Sequence, residues 1–226
     1  LMYGLPGQTP SQAMEDLSQG IEHASAHLSW YQLTLEPNTV FYKHPPALPE
    51  EDQICDIQQT GQCMLSAAGL AQYEISAYAH NGKQCRHNLN YWMFGDYLGI
   101  GAGAHGKLTD PGENSIFRYV RHRLPERYIE LAGRPNVITD IRQLHQADRT
   151  LEFMMNALRL NDGFEHGCFS TRTGLPLEVI GNQLGTAHAA GWLETLNGVT
   201  RPTVAGRNFL NDLLQCFMTD TISNES

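Results

Sequence analysis

The segment LMYGLPGQTPSQAMEDLSQGIEHASAHLSWYQLTL, residues 1–35, predicts a strand, a helix and a second strand in succession. Apolar and aromatic residues at its start lead into a turn-forming Pro-Gly pair. Thr9 and Gln12 have the spacing of a capping box, which marks the start of a helix. Residues 28–35 are rich in side chains that favour strands. Strand, helix and strand in this order indicate a parallel βαβ unit and therefore an α/β fold.

The same alternation continues along the chain to about residue 101. Apolar residues recur at helical spacing over residues 54–68, and Gly69 ends that helix. Residues 73–77 and 97–101 are predicted to be the third and fourth strands, and the fourth leads into a glycine-rich turn. Because parallel sheets place ligands at the carboxyl ends of their strands, we expect the chemistry in the loops that follow them.

The second half of the chain is predicted to be mainly helical. A hairpin is expected to turn at Asn197-Gly198, because this pair suits a two-residue turn. A helix before it and one after it suggest a winged-helix-like module. We therefore expect two domains, a β/α domain over residues 1–115 and a helical, winged-helix-like domain over residues 116–226. The predicted helices of the second domain cover residues 125–132, 149–160, 177–190 and 205–218.

The charge of the chain argues against a nucleic-acid partner. Lysine and arginine total 15 against 24 acidic residues, so the net charge of -9 repels phosphate backbones. The module over residues 140–226 is also acidic, with six arginines, no lysine and ten acidic residues. DNA binding by this module is a third hypothesis, and the negative charge of the module argues against it because DNA-binding domains present a positive face.

The cysteines and the apolar runs indicate where the protein functions. The five cysteines are scattered and form no C-x-x-C pair, which favours a reducing compartment and a cytoplasmic location. No apolar run reaches the roughly 18 residues of a membrane-spanning helix, so no membrane span is predicted. The chain begins at Leu1 without a methionine, and we expect it to be part of a longer protein.

The densest group of chemically capable side chains is Cys85-Arg86-His87-Asn88-Leu89-Asn90-Tyr91-Trp92. An imidazole can ligate iron or zinc, and the two aromatic rings offer faces for stacking. Two alternatives stay open. The aromatic rings can simply close a core while His87 caps the end of a strand. A zinc site is the other alternative, with ligands drawn from His80, Cys85, His87 and His105.

Glycines at positions 101, 103 and 106 form a G-x-G-x-x-G pattern after the predicted fourth strand. Residues 107–112 cannot open a helix, so a dinucleotide site is not expected. Close approach of the backbone to a ligand, or a crowded barrel bottom, explains the glycines better. His105, within this turn, is the second imidazole of interest.

Four arginines, Arg118, Arg121, Arg123 and Arg127, form a local basic patch on an otherwise acidic chain. Such a patch can bind carboxylates or phosphates. A solvated helix face that balances nearby glutamates is the simpler interpretation.

Five motifs occur in a fixed order and together resemble one family. The motifs are YGLPGQT (3–9), YQLTLEP (31–37), YEIS (73–76), HNLNYW (87–92) and DYLGIGAGAH (96–105). They are similar to the HemW family of haem chaperones, which belongs to the oxygen-independent coproporphyrinogen III oxidase-like radical SAM proteins. The H-N-x-x-Y-W element is the most specific of the five.

The resemblance implies the C-terminal portion of a partial (β/α) radical SAM barrel, followed by the mainly helical winged-helix-like domain. The full-length parent is expected to hold a 4Fe-4S cluster and S-adenosylmethionine. The family binds its cluster through C-x-x-x-C-x-x-C, a spacing that none of the five cysteines has. The cluster ligands and most S-adenosylmethionine contacts are therefore expected outside this chain, which alone is expected to be inactive.

Specific residues are assigned by the resemblance. His87, Asn88, Tyr91 and Trp92 match the haem motif, and His87 is the expected axial ligand of the haem iron. The S-adenosylmethionine side is expected to include Thr34, Gly101, Gly103 and His105. True oxidases have an apolar residue in place of His105, which favours the chaperone branch.

The resemblance thus implies a haem-binding chaperone that delivers haem to acceptor proteins. The alternative is an oxygen-independent coproporphyrinogen III oxidase, which oxidatively decarboxylates propionates in porphyrin biosynthesis. Whether the parent is an enzyme is left open. The H-N-x-x-Y-W motif favours the chaperone.

Overall fold

The computed structural model of the protein describes residues 1–24 and 26–218. The chain forms two compact units, an N-terminal unit of residues 1–85 and a C-terminal unit from residue 86 onward. Each unit has its own cluster of buried apolar side chains. No helix in the described part of the chain is both long and apolar enough to cross a lipid bilayer.

The N-terminal unit combines short strands with two longer helices. Its described elements are β1 (Met2–Tyr3), α1 (Pro10–His23), β2 (His27–Ser29), β3 (Tyr31–Gln32), α2 (Val40–Lys43), α3 (Glu51–Ala67), β4 (Ala71–Glu74) and β5 (Ala77–Ala79).

The βαβ unit predicted at the start of the chain is confirmed. Strands β1 and β3 pair in parallel with Met2 opposite Tyr31, and α1 lies between them in sequence. Helix α1 begins with the expected capping box. The Thr9 hydroxyl accepts a hydrogen bond from the Gln12 backbone N–H at 3.3 Å, and the Gln12 side chain accepts one from the Thr9 backbone N–H at 2.9 Å.

Two strands predicted for this unit, including the second strand of the βαβ unit, differ in extent or pairing from the observed ones. The strand predicted over residues 28–35 breaks at Trp30, whose buried ring packs 4.2 Å from the Tyr3 ring between centroids. Its two halves join different sheets, because β2 pairs antiparallel with β5 while β3 pairs with β1. The strand predicted over residues 73–77 is part of an antiparallel β4-β5 hairpin instead.

The C-terminal unit begins with the helix that carries the H-N-x-x-Y-W motif. Its described elements are α4 (Arg86–Trp92), β6 (His105–Asp110), β7 (Ser115–Arg121), α5 (Pro125–Leu131), a 3₁₀ helix (Pro135–Val137), β8 (Ile138–Gln143), α6 (Gln146–Ala157), β9 (Phe164–Glu165), α7 (His166–Thr173), a 3₁₀ helix (Leu177–Ile180), α8 (Gly181–Ala189), β10 (Leu193–Leu196), β11 (Val199–Pro202), α9 (Val204–Asn208) and α10 (Leu210–Gln215).

An antiparallel sheet in the order β6-β7-β8 is the main departure from the predicted elements. The strand predicted over residues 97–101 is wrong, since only Tyr97 pairs there, through an isolated bridge to Lys107. The region after residue 110 is a strand because Ile, Phe, Tyr and Val are concentrated in β7. The compact units therefore divide after residue 85, and the domain boundary between residues 115 and 116 stays a prediction.

The winged-helix-like end of the chain follows the predicted pattern closely. The hairpin of β10 and β11 turns at Asn197 and Gly198, which both have positive φ angles, 52° and 78°. Strand β9 pairs with the other edge of β11. The Phe153 ring on α6 packs against other buried rings at 5.1 Å between centroids. The helix predicted over residues 205–218 is two short helices, α9 and α10.

Candidate functional site

Helix α4 presents the imidazole that the sequence assigned to the haem iron. His87 lies in the first turn of α4 and its side chain is exposed. It forms no hydrogen bond with any described residue. The alternative that His87 caps the end of a strand is therefore wrong. Tyr91 follows His87 by four positions, so the two side chains lie on the same face of the helix.

Aromatic packing fixes the C-terminal half of α4. The Tyr91 ring meets the Trp92 ring at 5.2 Å in a T-shaped contact and the Tyr97 ring at 5.0 Å in a tilted one. Burial raises the pKa of Tyr97 to about 12, and its hydrogen bond with Tyr91 acts in the same direction. Arg118 opposes this rise by donating a hydrogen bond to the Tyr97 hydroxyl. Tyr91 and Trp92 thus hold the helix that carries His87.

Trp92 is covered from the other side by an arginine. The Arg159 guanidinium carbon lies 4.6 Å from the centroid of the Trp92 ring, a cation–π contact. The Trp92 Nε1 atom is buried and has no hydrogen-bond partner among the described residues. Asn88, the remaining member of the motif, is half-buried and is held by interactions within the chain.

A buried lysine that the sequence did not single out stabilises the turn after α4 through hydrogen bonds. The Lys107 ammonium donates hydrogen bonds to the Phe94 carbonyl at 3.0 Å and to Asp96 Oδ1 at 2.8 Å. Burial alone raises the pKa of Asp96, but hydrogen bonds from Lys107 and Thr109 outweigh it and hold the pKa below its usual range. Burial also lowers the pKa of Lys107. Phe94 itself has a positive φ of 56°, so this turn is tightly constrained.

A pocket of about 360 Å³ lies beside Tyr91 in the C-terminal unit. Its lining residues are Tyr91, Tyr97, His105, Arg118, Val120, Asp140, Arg142 and Glu152. Arg118 and Arg142 are cross-strand neighbours on β7 and β8, and both donate hydrogen bonds to the Glu152 carboxylate. Burial acts to lower the pKa of Arg118, but Glu152 more than compensates and raises it.

The predicted basic patch is therefore not one helix face. Arg118 and Arg121 lie on β7, and only Arg127 lies on a helix, where it pairs with Glu130 at 2.6 Å. Arg121 donates a hydrogen bond to the Gly99 carbonyl. Glu152 on α6, which the sequence did not single out, is the acidic partner of Arg118, and because the two residues are 34 positions apart no local pattern signals their contact.

The glycine-rich turn is crowded by the chain itself. A Cβ atom on Gly99 would lie 2.1 Å from the His105 carbonyl oxygen, and one on Gly106 would lie 2.0 Å from the Tyr119 ring. The Gly101 N–H donates to the Tyr128 hydroxyl at 3.1 Å, and the Gly103 N–H donates to a backbone carbonyl at 2.7 Å. The expectation that no helix follows this turn is confirmed, because β6 follows it.

The residues assigned to the S-adenosylmethionine side are spread over both units. Thr34 lies in the N-terminal unit after β3, where its hydroxyl donates to Glu36 at 2.8 Å. Gly101, Gly103 and His105 lie in the C-terminal unit, and His105 is exposed. The described residues contain no group of three or more His, Cys, Asp or Glu side chains that could hold a metal ion. The alternative zinc site is thus not assembled.

A 4Fe-4S cluster does not fit the cysteines of this chain. All five are free and none lies in a metal-holding group among the described residues. Haem requires fewer protein ligands than a 4Fe-4S cluster, because one imidazole is enough to ligate its iron. His87 on α4 is an exposed imidazole of this kind.

Comparison with known proteins adds a family model and several relatives. The model described as the HemN C-terminal domain matches residues 144–209. The chain is 46% identical to the Heme chaperone HemW of Escherichia coli (strain K12), over 97% of the chain and 57% of that protein. It is 44% identical to the Heme chaperone HemW of Haemophilus influenzae, over 97% of the chain and 56% of that protein. The chain thus spans a little over half the length of these relatives.

More distant similarities agree with these. The mitochondrial radical S-adenosyl methionine domain-containing protein 1 of Mus musculus is 40% identical over 54% of the chain and 28% of its own length. The solved structure of the radical SAM enzyme coproporphyrinogen III oxidase (HemN) from Escherichia coli superposes with a TM-score of 0.72. This match covers 97% of the chain and 54% of that structure at 17% identity. The α/β fold class and the likeness to a radical SAM protein are therefore confirmed.

Proposed function

Since the chain belongs to the HemW family of haem chaperones over the part of those relatives that it spans, we propose that the protein binds haem and delivers it to acceptor proteins. The single observation that carries this proposal is the exposed imidazole of His87 on a helix held rigidly by Tyr91 and Trp92. An imidazole placed in this way supplies one axial ligand to the haem iron. Its exposure leaves the haem accessible to an acceptor protein.

The four motif residues have different tasks in this proposal. His87 in its neutral form donates a nitrogen lone pair to the iron. Tyr91 packs against Trp92 and Tyr97, so its role is to orient α4 and to border the adjacent pocket. Trp92 packs against Tyr91 and carries Arg159 on its ring, so its role is to hold α4 in place. Asn88 supports the helix through contacts within the chain.

We also propose that Thr34, Gly101, Gly103 and His105 belong to the S-adenosylmethionine side of the complete protein. The N–H groups of Gly101 and Gly103 already donate within the chain. These glycines therefore serve by allowing close approach of the backbone, and His105 and Thr34 supply the polar contacts. The described cysteines form no site for a 4Fe-4S cluster, so we assign no step of radical chemistry to the residues of this chain.

The oxidase alternative rests on the fold. A likeness at 17% identity shows the fold alone, whereas the sequence relatives at 44–46% identity are named as haem chaperones. A cytoplasmic location is part of the proposal, because the five cysteines are all free.

A haem titration tests the proposal. The 226-residue chain is titrated with haem and followed at the Soret band, beside His87→Ala and the matched control His44→Ala. His44 is also an exposed histidine, but it lies in the N-terminal unit outside the motif. Saturable binding that His44→Ala keeps and His87→Ala loses supports the proposal. Equal binding by all three chains removes His87 from the site.

A further inference from the structure

The pocket of about 360 Å³ beside Tyr91 is built on one face of the β6-β7-β8 sheet. Arg118 and Arg142 lie directly opposite each other on β7 and β8 and form one row of this face. The row two positions along the strands points to the same side of the sheet and contains His105, Val120 and Asp140. The pocket therefore has fixed walls in the C-terminal unit, with polar side chains at known positions.

Arg142 has hydrogen-bond donors to spare in this pocket. Its guanidinium donates to Asp148 at 2.9 Å and to Glu152 at 3.3 Å, which uses two of the five N–H donors of an arginine. The Glu152 carboxylate also accepts from Arg118. The Arg142 side chain is 50% exposed and lines the pocket, so its other donors are accessible to a ligand there.

The Tyr91 hydroxyl supplies a second donor to the same pocket. Arg118 donates to the Tyr97 hydroxyl, which leaves the hydrogen of Tyr97 for Tyr91. The raised pKa of Tyr97 agrees with this direction, because donation to Tyr91 favours the neutral form of Tyr97. A hydroxyl that accepts one hydrogen bond still has its own hydrogen to donate. Tyr91 and Arg142 together suit a carboxylate, whose oxygens accept several hydrogen bonds.

Asp140 is the lining residue whose charge opposes a carboxylate. It is exposed and forms no ion pair with a described residue. The two arginines of the lining balance its two acidic residues, so the pocket is neutral on a chain of net charge -9. Water and salt screen the repulsion from an exposed carboxylate. The accessible donors therefore favour an anionic acceptor, and Asp140 gives a sign by which this preference is tested.

The position of His87 indicates which carboxylate enters the pocket. Tyr91 follows His87 by four positions, a rotation of about 40° around α4 and a rise of about 6 Å along it. A macrocycle ligated by His87 lies over this face of the helix, and its edge extends past Tyr91. The two propionates at one edge are the only anionic side chains of haem. We propose that the pocket binds one propionate of the haem that His87 ligates, through Arg142 and the Tyr91 hydroxyl.

This inference rests on the proposed function, because it places the iron on His87. A single axial ligand leaves the macrocycle free to rotate about the iron–nitrogen bond. A propionate held in the pocket fixes that rotation and selects porphyrins with a free carboxylate over their esters. The opposite edge of the haem then faces away from the pocket in one orientation.

Affinities for haem and for haem dimethyl ester, measured in the same detergent solution, test this inference. The ester keeps the iron and the macrocycle but has no propionate charge. We expect the wild-type chain to bind haem about tenfold more tightly than the ester, the scale of one charge-assisted hydrogen bond. Arg142→Gln is expected to weaken haem binding to the level of the ester and to leave ester binding unchanged. Ester binding therefore also reports that the variant is folded.

A second variant at the pocket is expected to act in the opposite direction. Asp140→Asn removes a like charge and should strengthen haem binding about twofold without changing ester binding. Two controls carry the same charge changes on exposed residues of the same unit outside the pocket, Arg134→Gln and Glu178→Gln. Both controls should keep the wild-type preference. Tyr91→Phe removes only the hydroxyl and should lower the preference about threefold.

The outcomes distinguish this inference from the proposed function. Equal affinity of the wild-type chain for haem and ester overturns the propionate site and leaves the haem proposal standing. A loss of preference in Arg134→Gln equal to that in Arg142→Gln also overturns it, because the effect is then one of net charge. Weaker haem binding by Asp140→Asn contradicts an anion in the pocket, and this variant decides the question if Arg142→Gln fails to fold. Failure of the wild-type chain to bind either ligand contradicts the proposed function itself.

Discussion

Replacing Lys107 by methionine is expected to destabilise the C-terminal unit by about 2 kcal/mol. The Lys107 side chain is 2% exposed and donates to the Phe94 carbonyl and to Asp96, at 3.0 and 2.8 Å. Hydrogen bonds from a charged group contribute about 1.5–3 kcal/mol each, so two of them set an upper bound of about 6 kcal/mol. Methionine recovers part of this because it buries no charge, and water resolvates Asp96, whose side chain is 40% exposed.

Native-state hydrogen exchange of the β7 amides measures this change, because these amides belong to the C-terminal unit. Asp96→Asn alone is expected to lower the free energy of unfolding by about 1 kcal/mol, since Lys107 still donates its hydrogen bond to the Phe94 carbonyl. The double variant should lose less stability than the sum of the two single variants, by more than about 0.5 kcal/mol, because the two side chains interact directly. A loss of less than about 0.5 kcal/mol in Lys107→Met, or strictly additive losses, refutes the reasoning.

Three other predictions concern the same unit. Gly106→Ala should destabilise it by about 3 kcal/mol in urea unfolding, because the new Cβ would lie 2.0 Å from the Tyr119 ring, while Gly167→Ala, with nothing within 4 Å, should be close to neutral. The Tyr97→Phe difference in ultraviolet absorbance should show no ionisation at pH 10, since the pKa of Tyr97 is raised to about 12; half-ionisation there contradicts it. The pKa of Asp96 is lowered on folding, so its stabilisation is complete above its unfolded pKa and is lost as pH falls below about 4. The wild-type chain should therefore lose more stability between about pH 5 and pH 3 than Asp96→Asn, and equal losses contradict this.

Local signals in the sequence were enough for the capped helix and the final hairpin. The Thr9 and Gln12 capping box and the Asn197-Gly198 turn depend on residues close together in the chain, and both form as predicted. The β6-β7-β8 sheet depends on pairing between distant segments, which periodicity within one segment does not reveal. Residues 97–101 have the composition of a strand, but Gly99 and Gly101 leave them as a turn that approaches the backbone of β6 closely.

The sequence motif drew attention to His87, whose role stays a prediction, and it gave less information on the surroundings of that residue. The motif singled out His87, and the structure leaves it exposed on a helix. Arg159 lies far from the motif in sequence, and nothing in its neighbourhood distinguishes it from a solvated arginine. Its contact with Trp92 depends on how α6 packs against α4, which is a property of the folded unit. The positions of the site residues are described by the structure, but their functional roles stay predictions.

Chemical rescue of His87→Gly tests the central claim most directly. The 226-residue variant is mixed with haem, and the Soret band is followed as free imidazole is added. The account predicts that the variant alone gives no shift, and that imidazole restores the wild-type spectrum because it ligates the iron in place of the missing side chain. A wild-type Soret shift in the variant without imidazole would show that another residue ligates the haem, and would contradict the account.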